Sequence, residues 1–200
     1  MTKLFFVRHA QPEFNWSDDR TRPLTEEGKT DSEKIVEFFK DKSIDGFYCS
    51  PYKRSIDTIK KTAEMFEMTI ITDERLRERE KGTDGNNHGM FKKRWENKDF
   101  HENGGESINT VQKRNIEAVT EILEKNAEKS IVIGTHGTAL SSILNYYNPL
   151  FGCDDFLRII DWMPYIVELD FDGKKFLQLT EHLYVIKEFK DNNCTNKKTN

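Results

Sequence analysis

The sequence predicts a layered α/β domain built on a mostly parallel sheet. Short apolar runs without polar alternation suit strands buried on both faces. Apolar residues at helical spacing separate those runs, and four successive alternations of the two imply right-handed crossovers between parallel strands. Leu4-Phe5-Phe6-Val7 is the first apolar run. Pro23-Leu24-Thr25-Glu26-Glu27 then has the character of a helix start, and Ile35, Val36, Phe38 and Phe39 carry the helical spacing to about residue 40. Gly46-Phe47-Tyr48-Cys49 reads as a second strand. Ser50-Pro51 supplies an N-cap and a first-turn proline for a helix over 51–66, along which Ile56, Ile59, Ala63 and Phe66 recur at three- and four-residue steps. Met68 to Thr72 is the third expected strand. Glycine, asparagine and clustered charge over 82–105 predict a loop with a short helix around Phe91–Trp95, and this segment is the expected lid. Ser107 caps a long helix with Ile108, Val111, Val119, Ile122 and Leu123 on one side; Ser130–Gly134 is a fourth strand, followed by a helix over 138–147. Tyr165–Leu169 and Lys175–Leu179 flank Asp172-Gly173, which signals a hairpin. One domain over residues 1–189 is expected, with 82–104 as a lid insertion and 190–200 as a frayed polar tail.

Two hundred residues suffice for one full core, and 14 Phe, 6 Tyr and 3 Trp let a chain that is 33% charged fill it. Thirty-one Lys and Arg against 35 Asp and Glu give a net charge of −4, which argues against a surface built to cover nucleic acid or anionic lipid. Cys49, Cys153 and Cys194 are far apart with no C-x-x-C pair, so neither a disulfide framework nor a structural zinc site is implied and a reducing compartment fits. No run approaches the roughly 18 apolar residues of a membrane span, and too few apolar residues precede Arg8-His9 for a secretory signal. A cytoplasmic protein is therefore expected.

Three polar groups fall at one kind of place: Arg8-His9 after the first strand, Arg54 one turn into the helix after the second, and His136 after the Ile131–Gly134 strand. In open α/β sheets, ligands bind outside the carboxyl ends of the strands, so the three converge on one crevice. Arginine forks, imidazoles and helix N-termini suit a dianionic tetrahedral group. Other chemistry fits less well. Cys49 to Arg54 has four intervening residues where a cysteine-phosphatase loop uses five. Asp170-Phe171-Asp172 leads into a hairpin turn rather than an aspartate-nucleophile site. His9, His136 and Glu78 lack tight metal-ligand spacing and have arginines beside them.

At these residues the chain resembles the histidine phosphatase superfamily, also called the phosphoglycerate mutase-like family. Leu4-Phe5-Phe6-Val7-Arg8-His9-Ala10-Gln11 is similar to its opening L-x-x-x-R-H-G-[EQ] signature, with Ala10 where glycine is usual, and Asn15 falls where the family often has a phosphate-contacting asparagine. Leu24-Thr25-Glu26-Glu27-Gly28 resembles L-[ST]-x-x-G, and Ser50 through Thr58 resembles S-[SP]-x-x-R-[AS]-x-x-T. Leu76-Arg77-Glu78 with Gly82, then Gly105-Glu106-Ser107, then Gly134-Thr135-His136-Gly137 complete the series in family order over residues 4 to 140.

The resemblance implies a three-layer α/β sandwich of phosphoglycerate mutase-like fold and a metal-independent phosphomonoesterase that works through a phosphohistidine, with no cofactor. His9 would be the nucleophile. Arg8, Arg54 and His136 would bind the equatorial oxygens, with Asn15 and Gly137 completing the phosphate site. Glu78 would protonate the leaving oxygen, and Glu80, in the same charge run, competes for that role. The implied partner is a small phosphorylated metabolite; nucleic acid and membrane are not implied, and a homodimer stays open. Two alternatives are a cofactor-dependent phosphoglycerate mutase and a catalytically poor scaffold that binds phosphorylated ligands. The interval between Glu78 and Gly105 is short for a mutase, and Trp16–Pro23 does not match the F-T-G-W-x-D stretch of mutases. A scaffold would not need both nucleophile and acid. Lys92-Lys93-Arg94 reads as a solvated helix face or, alternatively, an electropositive lid that selects substrate.

Overall fold

The apolar run at Leu4–Val7 becomes the centre of strand β1 (Thr2–Arg8), and its alternating side chains fill two separate cores. The computed structural model describes residues 1–83 and 85–187, so the tail expected at 190–200 lies outside the described residues. After β1 come α1 (Glu26–Phe39), β2 (Gly46–Cys49), α2 (Lys53–Met65), β3 (Ile70–Thr72) and a single 3-10 turn at Glu74–Leu76. Then follow α3 (His88–Glu96), α4 (Ile108–Lys125), β4 (Ser130–Thr135), α5 (Gly137–Tyr147), α6 (Cys153–Ile159), β5 (Trp162–Asp172) and β6 (Lys175–Ile186).

The six strands form one sheet in the order β3-β2-β4-β1-β5-β6. Neighbours from β3 to β1 are parallel, and the β5–β6 hairpin adds antiparallel pairs beside β1. Leu4 and Phe6 face a core closed by Val119 and Ile122 of α4, Leu140 and Ile143 of α5, and Phe91, Trp95 and Phe156. Phe5 and Val7 face the opposite core, closed by Ile35 and Phe39 of α1 and Ile59 and Ala63 of α2. Phe5 meets Phe39 edge-on with ring centroids 5.3 Å apart, a favoured aromatic geometry. The result is the expected three layers. Because α3 buries Phe91 and Trp95 in the first core, the 82–104 segment is anchored to the domain.

Ser107 caps its helix as expected, its hydroxyl accepting from the Thr110 amide at 3.1 Å, and Thr25 caps α1 in the same way, accepting from the Gly28 amide at 2.9 Å. Ser50 does not. Helix α2 starts at Lys53 with no side-chain cap, and the Ser50 hydroxyl turns to His136 instead. None of the described helices is long and apolar enough to cross a membrane.

Candidate active site

The three central strands, β2, β4 and β1, bring their carboxyl ends together. The His9 amide donates to the Thr135 carbonyl at 3.1 Å and the Ser50 amide to the Gly134 carbonyl at 3.0 Å, so the residues leaving adjacent strands are fixed against one another. Thr58 ties α2 to the same point, its hydroxyl accepting from the Ala10 amide at 2.9 Å and donating to the Arg54 carbonyl at 2.7 Å. Helix α1 packs so closely that a Cβ at Gly28 would lie 2.3 Å from the Gln11 carbonyl oxygen. The cleft above them measures about 160 Å³ and is lined by Arg8, His9, Arg54, Glu78 and Gly137 together with Asp19 and Arg22. His136 is fully buried beside it, its ring centroid 5.2 Å from that of His9.

The contacts of His9 assign its tautomer. Nδ1–H donates to the Ala10 carbonyl at 2.8 Å, leaving the Nε2 lone pair to accept from Arg54 Nε at 3.2 Å. Burial first, then the Arg54 and Arg8 charges, holds His9 well below the ordinary histidine range, so the ring is neutral. His136 is depressed in the same way, by burial and then by Arg54. Its Nε2 lies 2.7 Å from the Ser50 hydroxyl, which also accepts from the Tyr52 amide at 3.3 Å. With the hydroxyl proton given to Nε2, the imidazole proton sits on Nδ1, a buried atom with no hydrogen-bond partner among the described residues.

Arg8 is gripped from behind. Its Nη1 and Nη2 donate to the Ile159 and Ile160 carbonyls at the end of α6, at 2.6 and 2.8 Å. Its guanidinium also lies flat on Gly137, where an added Cβ would sit 3.2 Å from Nη2. Burial lowers Arg8 to about 10, so it stays cationic at neutral pH.

Glu78 and Glu80 are placed differently. The Glu78 carboxylate accepts from the Thr138 and Ala139 amides at the start of α5, at 3.0 and 3.1 Å, and from the Arg79 amide at 2.7 Å. Glu80 is exposed at the rim of the cleft. The loop carrying both is held by Glu106, which accepts from Arg77 at 2.6 and 2.9 Å, from Arg114 at 3.0 and 2.9 Å, and from the Glu80 amide at 2.9 Å. Arg114 in turn donates to the carbonyls of Arg75, Arg77 and Glu78. Burial pushes the Glu106 carboxyl up, but the hydrogen bonds from Arg114 and Arg77 more than offset this and hold it at about 2. Its stabilising contribution is therefore full above the ordinary value of 4.5 and is lost as pH falls towards 2. Glu106→Gln should lower the thermal midpoint at pH 7 and flatten its fall across that acidic window, as thermal melts across pH will show.

Asn15 is exposed and does not line the cleft; its loop contributes Asp19 and Arg22 there instead. The Lys92-Lys93-Arg94 group is spent elsewhere. Lys92 pairs with Glu96, Lys93 stands over the Phe100 ring at 3.9 Å, and Arg94 is buried against Glu102. Glu102 also holds Arg79, whose Nη1 is 3.2 Å away, so a buried carboxylate links α3 to the Glu78 loop. The Cys49 thiol donates to Ser55 at 3.3 Å and burial pushes it up to about 12, which disfavours it as a thiolate nucleophile. Asp19, Arg22, Glu106 as a hub, and Arg114 were not singled out by sequence reasoning. The one local signal for Arg22 is its place just before the Pro23-Leu24-Thr25 helix start.

Residues 4–176 match the histidine phosphatase superfamily (branch 1). The chain is 28% identical to a 2,3-bisphosphoglycerate-dependent phosphoglycerate mutase of Thermoplasma acidophilum over 70% of its length and 74% of that protein's. It is 25% identical to phosphoserine phosphatase 1 of Hydrogenobacter thermophilus, over 77% and 78% of the two chains. In structure it is similar to a phosphoserine phosphatase of Entamoeba histolytica solved with phosphoserine, with a TM-score of 0.74 and 20% identity over 92% of this chain and 96% of that one.

Proposed function

The chain belongs to the histidine phosphatase superfamily, and from that premise we propose that it hydrolyses phosphomonoesters of small metabolites through a phosphohistidine on His9, without a metal ion. One observation carries the reading: His9 is neutral, with Nδ1–H committed to the Ala10 carbonyl and the Nε2 lone pair turned towards the Arg54 guanidinium. Nε2 attacks phosphorus, an N–P bond forms and the P–O bond to the leaving group breaks. Arg8, Arg22 and Arg54 then meet the charge on the phosphoryl oxygens, and His136 Nδ1–H donates to one of them. Glu78 delivers a proton to the leaving oxygen, then takes one from the water that cleaves the N–P bond and regenerates His9. A cleft of about 160 Å³ suits a phosphoryl group with a small substituent.

Turnover of p-nitrophenyl phosphate in EDTA tests the reaction, and a panel of small phosphorylated metabolites tests the substrate class. Hydrolysis should persist in EDTA; activity lost with the chelator and restored by a metal would defeat the proposal. Arg54→Ala removes a charge-assisted contact that strengthens in the transition state, so kcat/KM should fall by about 10²-fold or more, and vanadate inhibition should weaken with it. Unchanged vanadate inhibition would place Arg54 outside the phosphate site.

The second reading is a phosphoglycerate mutase, favoured by the similarity to the Thermoplasma acidophilum enzyme. 3-Phosphoglycerate with 2,3-bisphosphoglycerate separates the two: net release of phosphate supports the phosphatase, and isomer exchange without release supports the mutase.

A further inference from the structure

The anion position between Arg22 and Arg54 is filled by the protein itself. Arg54 Nη1 donates to the Asp19 carbonyl at 2.6 Å and to its carboxylate at 3.2 Å, and Nη2 reaches the second carboxylate oxygen at 3.3 Å. Arg22 Nη2 lies 3.1 Å from the same carboxylate. Arg54 is nearly inaccessible, whereas the Asp19 side chain is 36% exposed, so the carboxylate caps the guanidinium from the solvent side. Two guanidinium groups on one carboxylate, Arg54 through two nitrogens and Arg22 through one, is an arrangement that would also suit a phosphoryl group.

The backbone around Asp19 is pinned. The Arg20 carbonyl accepts from the Lys53 amide at 2.9 Å, and the Arg20 guanidinium grips Glu74 at 3.0 and 2.7 Å. Asp18 accepts from the Arg20 amide and the Thr21 hydroxyl at 3.0 and 2.8 Å. Freeing Arg54 therefore needs a change of Asp19 rotamer rather than movement of the loop, and the Asp19 carbonyl can keep its own contact. The charges point the same way. Burial lowers the Arg22 pKa, Asp19 opposes that, and Arg54 adds to it, so the Asp19 carboxylate offsets repulsion between neighbouring guanidinium groups.

We propose that Asp19 is an internal competitor for the phosphate site. The substrate phosphoryl group enters by displacing its carboxylate, and product phosphate leaves as that carboxylate returns. The proposal rests on the phosphate site described under Proposed function. A competitor tethered to the site divides the apparent affinity of every anion by the same factor, so KM and the inhibition constant for product phosphate rise together.

Inorganic phosphate titrated by calorimetry into wild type, Asp19→Asn and Asp19→Ala reads the effect directly. Phosphate should bind about tenfold more tightly to both variants, and KM for p-nitrophenyl phosphate should fall in proportion. Without phosphate their thermal midpoints should be lower than wild type, and the rise on adding saturating phosphate should be larger. Phosphate affinity unchanged or weakened in either variant that melts cooperatively overturns the proposal and makes Asp19 a group that orients Arg54. In the unmodified protein, the carboxylate carbon resonance of Asp19 should move on adding phosphate; a stationary resonance in the phosphate-bound protein also overturns it. Calorimetry needs no turnover, which keeps the two readings separable. An inactive wild type with this binding pattern sinks the phosphatase alone, and an active enzyme without it sinks the competitor alone.

Discussion

Replacing His9 by alanine is expected to abolish turnover and the phosphoenzyme together, a loss on the order of 10⁴-fold or more in kcat. Rapid quench with labelled substrate should trap an acid-labile, base-stable adduct in the wild type and none in the variant. An adduct that survives His9→Ala would assign the nucleophile to another residue. The same imidazole should shape the acidic limb of the rate profile. Burial and the Arg54 and Arg8 charges hold His9 well below the ordinary 6.5, so it stays neutral as pH falls through that value. Loss of kcat/KM through His9 protonation should therefore begin well below pH 6.5.

Glu78→Gln should separate substrates by leaving group. An alkoxide needs a proton as it departs, so kcat/KM for alkyl phosphates should fall by about 10²- to 10⁴-fold, whereas p-nitrophenolate leaves unaided and phosphoenzyme formation from it should change little. The single amide oxygen of glutamine can keep the Ala139 and Arg79 amides, both of which donate to Oε1 of Glu78, while the Thr138 amide on Oε2 loses its acceptor. Glu80→Gln, on the exposed rim, should show no such split. Equal losses for both leaving groups in Glu78→Gln would move the acid elsewhere.

Elements whose burial is periodic were legible before the structure. Ile56, Ile59 and Ala63 mark α2 to within two residues of its ends, and Leu4–Val7 marks β1 because a strand covered on both faces must be apolar throughout. The hairpin was legible at its turn but not in its length. Strand β6 continues through Thr180, Glu181 and His182, which face solvent or charged partners and so carry no apolar alternation. Helix α6 is short and polar at its start, and it escaped notice entirely. At the site, strand ends gave away His9 and His136, because topology alone places them. Asp19, Arg22, Glu106 and Arg114 are charged residues in charged surroundings. Their partners lie up to 39 residues away, and only the fold converts that separation into contact.

The place of β1 between β4 and β5 also sets when the site can exist. Lys3 pairs with Ser130 on one side and Asp170 on the other, so β1 is made more than a hundred residues before either of its neighbours. At a synthesis rate of roughly 10 residues per second, Leu4-Phe5-Phe6-Val7 waits on the order of ten seconds as an unpaired apolar edge. During that interval the nascent chain already contains Arg8, His9 and Arg54 but has no assembled cleft, and it offers chaperones or other nascent chains a sticky segment. Such non-local pairing makes folding slow for the chain's size, and the cleft forms with the last strands rather than with the residues proposed to perform the chemistry.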